Sequence, residues 1–376
     1  MENKPGKLKI GISGSYGGFN LGDEAILQSI LVDLRRDFPV EVTVFSRNPE
    51  DTLQRHQVER AVPVREFAPG EILPEIRRLD LFLLGGGGIL YDEEAQIYLR
   101  EVEIANEAGV PVMVYAVGAG PLTDQYSLKL LRKALSPAVA ITVREKSAVK
   151  ILEEVGLRKI VVTADPAFLL EPQLLAVDAL QKEGLADKKR LVGMSLREPG
   201  KAAPEIDETN YHELLANAAD FIIDRFDAEV VFVPMEYRTQ DVQLSHAVIA
   251  RMLSPQRATV LKGEYSAGQI LSLMRNFEFA VGMRLHFLIF AALQAVPFVA
   301  LPYAQKVSEL LENLGIDLPP LKKVNSGRLL AYIDHFWDQR EILPKRIKEN
   351  TDLMKERSRE NYRILYQIMA EIAGRK

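Results

Sequence analysis

The 376-residue chain predicts an α/β protein of two doubly wound, Rossmann-like domains facing each other across a cleft. Three observations carry that prediction. Short β-rich runs alternate with amphipathic helical stretches, the pattern of parallel sheets built from βαβ units. The alternation pauses once, at the polar segment 171–190 (EPQLLAVDALQKEGLADKKR), and then resumes. The length and the 47% hydrophobic content suffice for two cores of ordinary size. The expected limits are 1–172 for the first domain, 173–190 for a connector, 191–343 for the second domain, and 344–376 for a long helix returning to the first.

Each element has a local reason. The first-half strands are LKIGISG, VEVTVFS, LDLFLLGG, VPVMVYAVG, VAITVRE and IVVTADPAF, all rich in β-branched or aromatic residues. DEAILQSILVDLRRDF and QYSLKLLRKAL carry helical periodicity between them. The second series is RLVGMSLRE, EVVFVPME, ATVLKG, FEFAVGM and FVALPY, separated by helices such as NYHELLANAADFIIDRF and AGQILSLMRNF. A polar helix over about Pro344 to Gly374 closes the chain. Leu285 to Pro302 (LHFLIFAALQAVPFVALP) has membrane-spanning length, but His286, Gln294 and Pro297 interrupt it, and Pro297 divides it into a helix and a strand.

Composition narrows the function. A net charge of −5 and a pI near 5.8 argue against a nucleic-acid partner, so any anion site must be a local concentration of cations. The absence of cysteine excludes disulfides, thiol catalysis and Cys-ligated zinc. The opening MENKPGKLKIGISG lacks the apolar core of a signal peptide, and a cytoplasmic location is expected. Ten Lys/Arg against six Asp/Glu in 340–376 describe a solvated helical face, with a peripheral contact to the inner face of an anionic membrane as the alternative.

In doubly wound sheets ligands gather outside the carboxyl ends of the strands. Those ends carry Arg197 after VGMSL, Glu236 after VFVPM, Arg284 and His286 after FAVGM, and Lys306 just beyond FVALPY. Singly, Arg197 reads as a surface residue, Lys306 as the solvated start of a helix, and His286 as a partly buried histidine. Together, three cations and a histidine at one sheet edge favour a small, multiply charged anion carrying phosphate, carboxylate or both. A helix opening at Leu285 or His286 would add free N–H groups at the same place. In the first half, GISGSYGGFNLGDEAILQSIL runs from strand through glycine loop to helix, without a Walker or dinucleotide fingerprint. Asp23 stands there as either a helix N-cap or a member of an interdomain polar site, flanked by Asn20 and Glu24. LGGGGILYDE, with Gly87 and Gly88, and VGAGPLTD bring backbone close to a ligand or a neighbouring loop. Arg144 reads equally as structural or substrate-contacting, and Asp165 as structural. No cluster of metal-ligating residues stands out.

NLGDE, LLGGGG, VGAGP, VRE, ADPAF, GMSLRE and VGMRLHFLIFA follow one another in order between Asn20 and Ala291, and the resemblance they carry spans Gly11 to about Leu311. The ordered series resembles the polysaccharide pyruvyltransferase family, most like its bacterial cell-wall polymer branch. The resemblance implies a fold like the B-type glycosyltransferases, with phosphoenolpyruvate as donor and transfer of its pyruvyl group as a ketal to two sugar hydroxyls. It implies an acceptor ending in N-acetylmannosamine on a lipid-diphosphate-linked precursor, made for polymers that anchor S-layer proteins. No cofactor is implied beyond phosphoenolpyruvate as co-substrate. By motif, Arg197, His286 and Lys306 become donor-site residues, and Asp23 and Arg144 further functional positions. Arg284 and Glu236 join from strand-end position alone. His286 is then the expected acid, Lys306 and the arginines the donor's counter-charges, and Asp23 or Glu236 the base for a sugar hydroxyl. The rival readings are a sugar-nucleotide-dependent glycosyltransferase of the same fold and a non-enzymatic sugar- or phosphate-binding regulator.

Overall fold

In a computed structural model the chain folds into two units, with residues 7–64, 68–92, 94–198, 208–236, 238, 240–301, 305–317 and 326–375 described. The first unit comprises Met1–Gly18, Asp23–Leu170 and Met354–Lys376; the second comprises Phe19–Gly22 and Glu171–Leu353.

The first unit is built on β1 (Leu8–Ser13), β2 (Val40–Ser46), β3 (Arg60–Pro63), β4 (Leu81–Leu90), β5 (Val112–Ala119), β6 (Ala140–Val143) and β7 (Ile160–Val162). They form one parallel sheet in the order β3-β2-β1-β4-β5-β6-β7. Its central strands β1, β4 and β5 are buried but for Lys9 and Gly88, because helices on the βαβ crossovers cover both faces. Strand order reverses between β1 and β4, which marks the ligand side of the sheet. β3 has no counterpart among the expected strands, since its sequence RAVP is short, starts charged and ends in proline, as suits an edge.

LGGGGILYDE departs from expectation. The four glycines lie inside β4 rather than at its end, and the strand runs on to Leu90. Gly87 pairs with Val117 and Gly88 with Gly118, with a register shift after Gly88. Gly87 has φ +87°, a left-handed conformation that side-chain-bearing residues avoid.

The second unit is built on β8 (Leu191–Ser195), β9 (Glu229–Phe232), β10 (Ala258–Val260), β11 (Phe279–Gly282) and β12 (Phe298–Ala300), parallel in the order β10-β9-β8-β11-β12. The expected connector 173–190 is part of this unit. Gln173 N donates to Gly268 O at 2.9 Å, and the Glu183 carboxylate accepts from Lys262 N, Gly263 N and the Tyr265 hydroxyl at 2.8–3.0 Å. A polar segment is thereby spent on hydrogen bonds to its own sheet's loops, which is why composition alone made it look like a linker.

The apolar run after Arg284 forms the buried helix Leu285–Leu293 followed by β12. Among the described residues, no helix is long and apolar enough to cross a membrane. The last helix spans Leu343–Gly374, and from Met354 onward it belongs to the first unit. There Asn361, with no exposed surface, accepts from the Thr142 and Thr163 hydroxyls at 2.7 and 2.8 Å and donates to Ala164 O at 3.1 Å. Two of its exposed arginines are paired along the helix, Arg359 with Glu356 and Arg363 with Glu360.

Candidate functional site

Arg197, Glu236, Arg284, His286 and Lys306 all follow carboxyl ends of the second sheet, after β8, β9, β11 and β12. The strands are parallel, so these residues share one edge. Ladder bonds continue just past the strands there: Met283 N donates to Ser195 O at 2.9 Å, Val233 N to Met194 O at 2.7 Å and Leu301 N to Gly282 O at 2.8 Å. Arg197 and Lys306 are half-buried, the latter near the start of the helix Gln305–Leu314. The segment carrying Arg197 is pinned by Tyr211, whose hydroxyl donates to Arg197 O at 3.0 Å, and by the 2.8 Å pair of Glu198 with His212.

Arg284 departs from expectation. Its side chain is buried, but the charge is answered from within the protein rather than left for an anion. Nε donates to Asp241 Oδ2 at 3.0 Å, and Nη2 donates to Glu236 Oε2 at 2.7 Å and also to Asp241 Oδ1. Burial alone would favour loss of the guanidinium proton, but Asp241 and then Glu236 outweigh it and push the pKa up. Burial raises the Asp241 carboxyl, and Arg284 opposes that rise. Two carboxylates and one guanidinium leave a cluster with no positive charge to spare. Arg284 therefore braces the N-cap of the helix Leu285–Leu293, and Glu236 is committed to it rather than available as a base.

His286 is the second residue of that helix and its one side chain that is not buried before Leu293. Against its ring lies the backbone of Gly22, where a methyl group would meet Nδ1 at 2.0 Å. Gly22 belongs to a short segment built into the second unit. Asn20 forms an antiparallel bridge with Glu236, and Leu21 N donates to Met235 O at 2.8 Å. Asn20 Oδ1 accepts from Gly22 N at 2.9 Å at the start of the helix Leu21–Leu34, so the capping role open to Asp23 falls to Asn20.

In the first unit, Asp23 is a half-buried residue of that helix's first turn. Its Oδ1 lies 3.2 Å from where a side chain on Gly87 would begin, so glycine leaves room beside the carboxylate. Gly88 is exposed. The next residue, Glu24, is buried; it accepts from Gly17 N at 2.9 Å and meets His56 Nε2 at 2.7 Å, tying the glycine loop down. Of the two roles open to Arg144, the geometry is the structural one. Its buried guanidinium pairs at 2.8 Å with both Glu145 and Asp165. Burial opposes its charge, but Glu145 and Asp165 overcome that and raise its pKa. Gly118 of VGAGP is the clearance for this pair, since a methyl there would fall 2.3 Å from Glu145 Oε1. Among the described residues, no group of three His, Asp or Glu side chains is placed to hold a metal.

A sequence profile described as polysaccharide pyruvyl transferase matches residues 20–305. The chain belongs to that family. As a polysaccharide pyruvyl transferase it is a transferase enzyme, and the match begins at Asn20 of the segment that meets His286. No curated protein matches the chain in sequence. Several solved structures resemble the pyruvyl transferase in fold. A putative UDP-N-acetylglucosamine 2-epimerase from Listeria monocytogenes is 14% identical with a TM-score of 0.61, over 92% of this chain and 91% of that one. Anabaena HepE, in complex with UDP, is 15% identical with a TM-score of 0.61, over 97% and 100%. S. aureus MnaA, solved with UDP, is 13% identical with a TM-score of 0.59, over 91% of each chain. At these identities the likeness is one of fold, the two-domain Rossmann-like architecture of B-type glycosyltransferases.

Two residues of this candidate site escape sequence reasoning. Asp241 looks like an ordinary acid in the first turn of the helix Gln240–Ile249. Gly22 looks like one more glycine of the loop between strand and helix. Neither carries a local signal, because each owes its place to a residue more than 40 positions away.

Proposed function

We propose that this polysaccharide pyruvyl transferase moves the pyruvyl group of phosphoenolpyruvate, as a ketal, onto a terminal N-acetylmannosamine of a lipid-diphosphate-linked cell-wall polymer precursor. The polymer would be one that anchors S-layer proteins, and the work would be done in the cytoplasm at the inner face of the membrane. The observation that carries the reading is the placement of Arg197, His286 and Lys306 along one strand-end edge, with Arg284 neutralised by its own carboxylates. The two cations on that edge, Arg197 and Lys306, match in charge a compact donor bearing phosphate and carboxylate.

In the proposed chemistry His286 protonates C3 of the enol, so that C2 becomes electrophilic. One sugar hydroxyl adds to C2, the bond from C2 to the phosphate oxygen breaks, and a second hydroxyl closes the ketal. Of the two hydroxyl protons, one replaces the proton delivered to C3 and the other leaves with phosphate. Arg197 and Lys306 hold the donor and stabilise the departing phosphate. Asp23 is the base for the sugar hydroxyl, now that Glu236 is engaged with Arg284. The reaction needs no cofactor beyond its co-substrate.

The test is phosphate release from phosphoenolpyruvate, with and without a synthetic N-acetylmannosamine-terminated lipid diphosphate. Isothermal titration should show binding of phosphoenolpyruvate; binding of UDP or a UDP-sugar in its place would favour a glycosyltransferase instead. Ligand binding without phosphate release would point to a regulator. His286→Ala should lower turnover by about 100-fold or more while leaving donor binding largely intact. Arg197→Ala should weaken donor binding itself by on the order of 100-fold. Near-normal turnover in His286→Ala sinks the acid assignment.

A further inference from the structure

Gly22 sits in the first turn of the helix Leu21–Leu34, is buried, and has no left-handed φ. The backbone there makes no demand for glycine, and a helix ordinarily favours alanine over it. The three atoms a side chain there would meet first all belong to the imidazole of His286. A methyl on Gly22 would stand 2.0 Å from Nδ1, 2.4 Å from Cγ and 2.8 Å from Cε1, all atoms of one rigid ring.

Both sides of this contact are referenced to Glu236. Its backbone bridges Asn20, two residues before Gly22, and its carboxylate binds Arg284, two residues before His286. Phe19 opens the segment in a left-handed conformation at φ +59°, with the Arg238 guanidinium 4.2 Å above its ring. The segment Phe19–Gly22 is thus a strap fastened at each residue, and its last member abuts the ring.

We propose that Gly22 is a positioning residue: its bare Cα is the wall that sets the plane and place of the His286 imidazole for proton delivery. The catalytic half of this inference rests on the acid role given to His286 above; the interlock of the two residues does not. A methyl at position 22 would push the ring off its place, and a displacement of about 1 Å at a reacting group is worth on the order of 100-fold in rate.

Four proteins decide it: wild type, Gly22→Ala, His286→Ala and the double variant, each measured for thermal unfolding, kcat, KM for phosphoenolpyruvate and the pH dependence of kcat. Gly22→Ala should lower kcat by on the order of 100-fold with a much smaller change in KM, and should move the limb of the pH profile that depends on His286. It should also lower Tm in the wild-type background and leave Tm unchanged in the His286→Ala background, where the methyl finds room. If Gly22→Ala fails to fold, a folded double variant upholds the interlock and an unfolded one overturns it. An equal loss of Tm in both backgrounds, or a kcat within about threefold of wild type in Gly22→Ala, overturns the proposal. Retained turnover in His286→Ala overturns the acid assignment alone, and the Tm comparison still upholds or overturns the interlock.

Discussion

Buried charges in this chain are answered close by, and the exceptions are instructive. Arg284 and Arg144 each carry two carboxylate partners, so burial does not strip their protons. Asp33 is less well served. Its carboxylate is almost wholly buried in the helix Leu21–Leu34, with the Tyr115 hydroxyl at 3.2 Å and Arg36 at 3.0 Å. Burial outweighs both and pushes its pKa up to about 6. The folded state then holds a proton on Asp33 that the unfolded chain has already lost between about pH 4 and pH 6. This group's contribution to stability is fully present below about pH 4 and is lost as pH rises through about 6. Asp33→Asn keeps the shape and an acceptor for Tyr115 while removing the titration. Urea unfolding should find it more stable than wild type at pH 7, by on the order of 2 kcal/mol, with little difference at pH 4. Equal stability at both pH values would refute the raised carboxyl.

The helix Leu285–Leu293 shows how one element is positioned by others. Its sequence LHFLIFAAL makes it helical and buried, but says nothing about which strand end anchors its start. That anchor is Asp241, which accepts from Met235 N and Glu236 N at 3.1 Å each and grips Arg284 with both oxygens. One carboxylate thereby joins the turn after β9, the helix Gln240–Ile249 and the mouth of the helix that carries His286. Removing it leaves a buried guanidinium with a single, part-exposed partner. Asp241→Ala should cost about 3–5 kcal/mol in denaturant unfolding. A cost below about 1 kcal/mol would show that Arg284 is answered elsewhere. If Arg284 were instead a donor ligand, the same variant would alter phosphoenolpyruvate affinity while sparing stability.

The chain assembles its first unit from its two ends. The strands come from the first half, yet Tyr362, Leu365 and Met369 of the final helix are buried, and Asn361 joins the ends of β6 and β7. Tyr362 also donates to Asp37, and Arg357 to Thr163 O at 2.9 Å. Truncation after Leu353 should therefore unfold the first unit while leaving the second folded. Limited proteolysis should cut first within residues 23–170, and circular dichroism should lose more helix than the deleted turns account for. A truncated chain with unchanged resistance in 23–170 would refute this dependence.

Much of this architecture is legible in the sequence itself. Hydrophobic periodicity marks strands such as LKIGISG and FEFAVGM, because a parallel strand must be apolar on both faces wherever it runs. The ordered motifs from NLGDE to VGMRLHFLIFA identify the family, and strand-end position puts Arg197, His286 and Lys306 on one edge, since parallel strands all end on the same side. Other features were not readable. The connector at 171–190 belongs to the second unit, the glycines of LLGGGG lie within a strand, and Arg284 answers to Asp241 and Glu236 rather than to a ligand. Gly22 is needed because of a ring 264 positions further along the chain. Local preference and solvent exposure are written residue by residue and can be read in one dimension. The partner of a buried charge, or the neighbour that forbids a methyl group, is set by long-range packing and exists only once the chain has closed on itself.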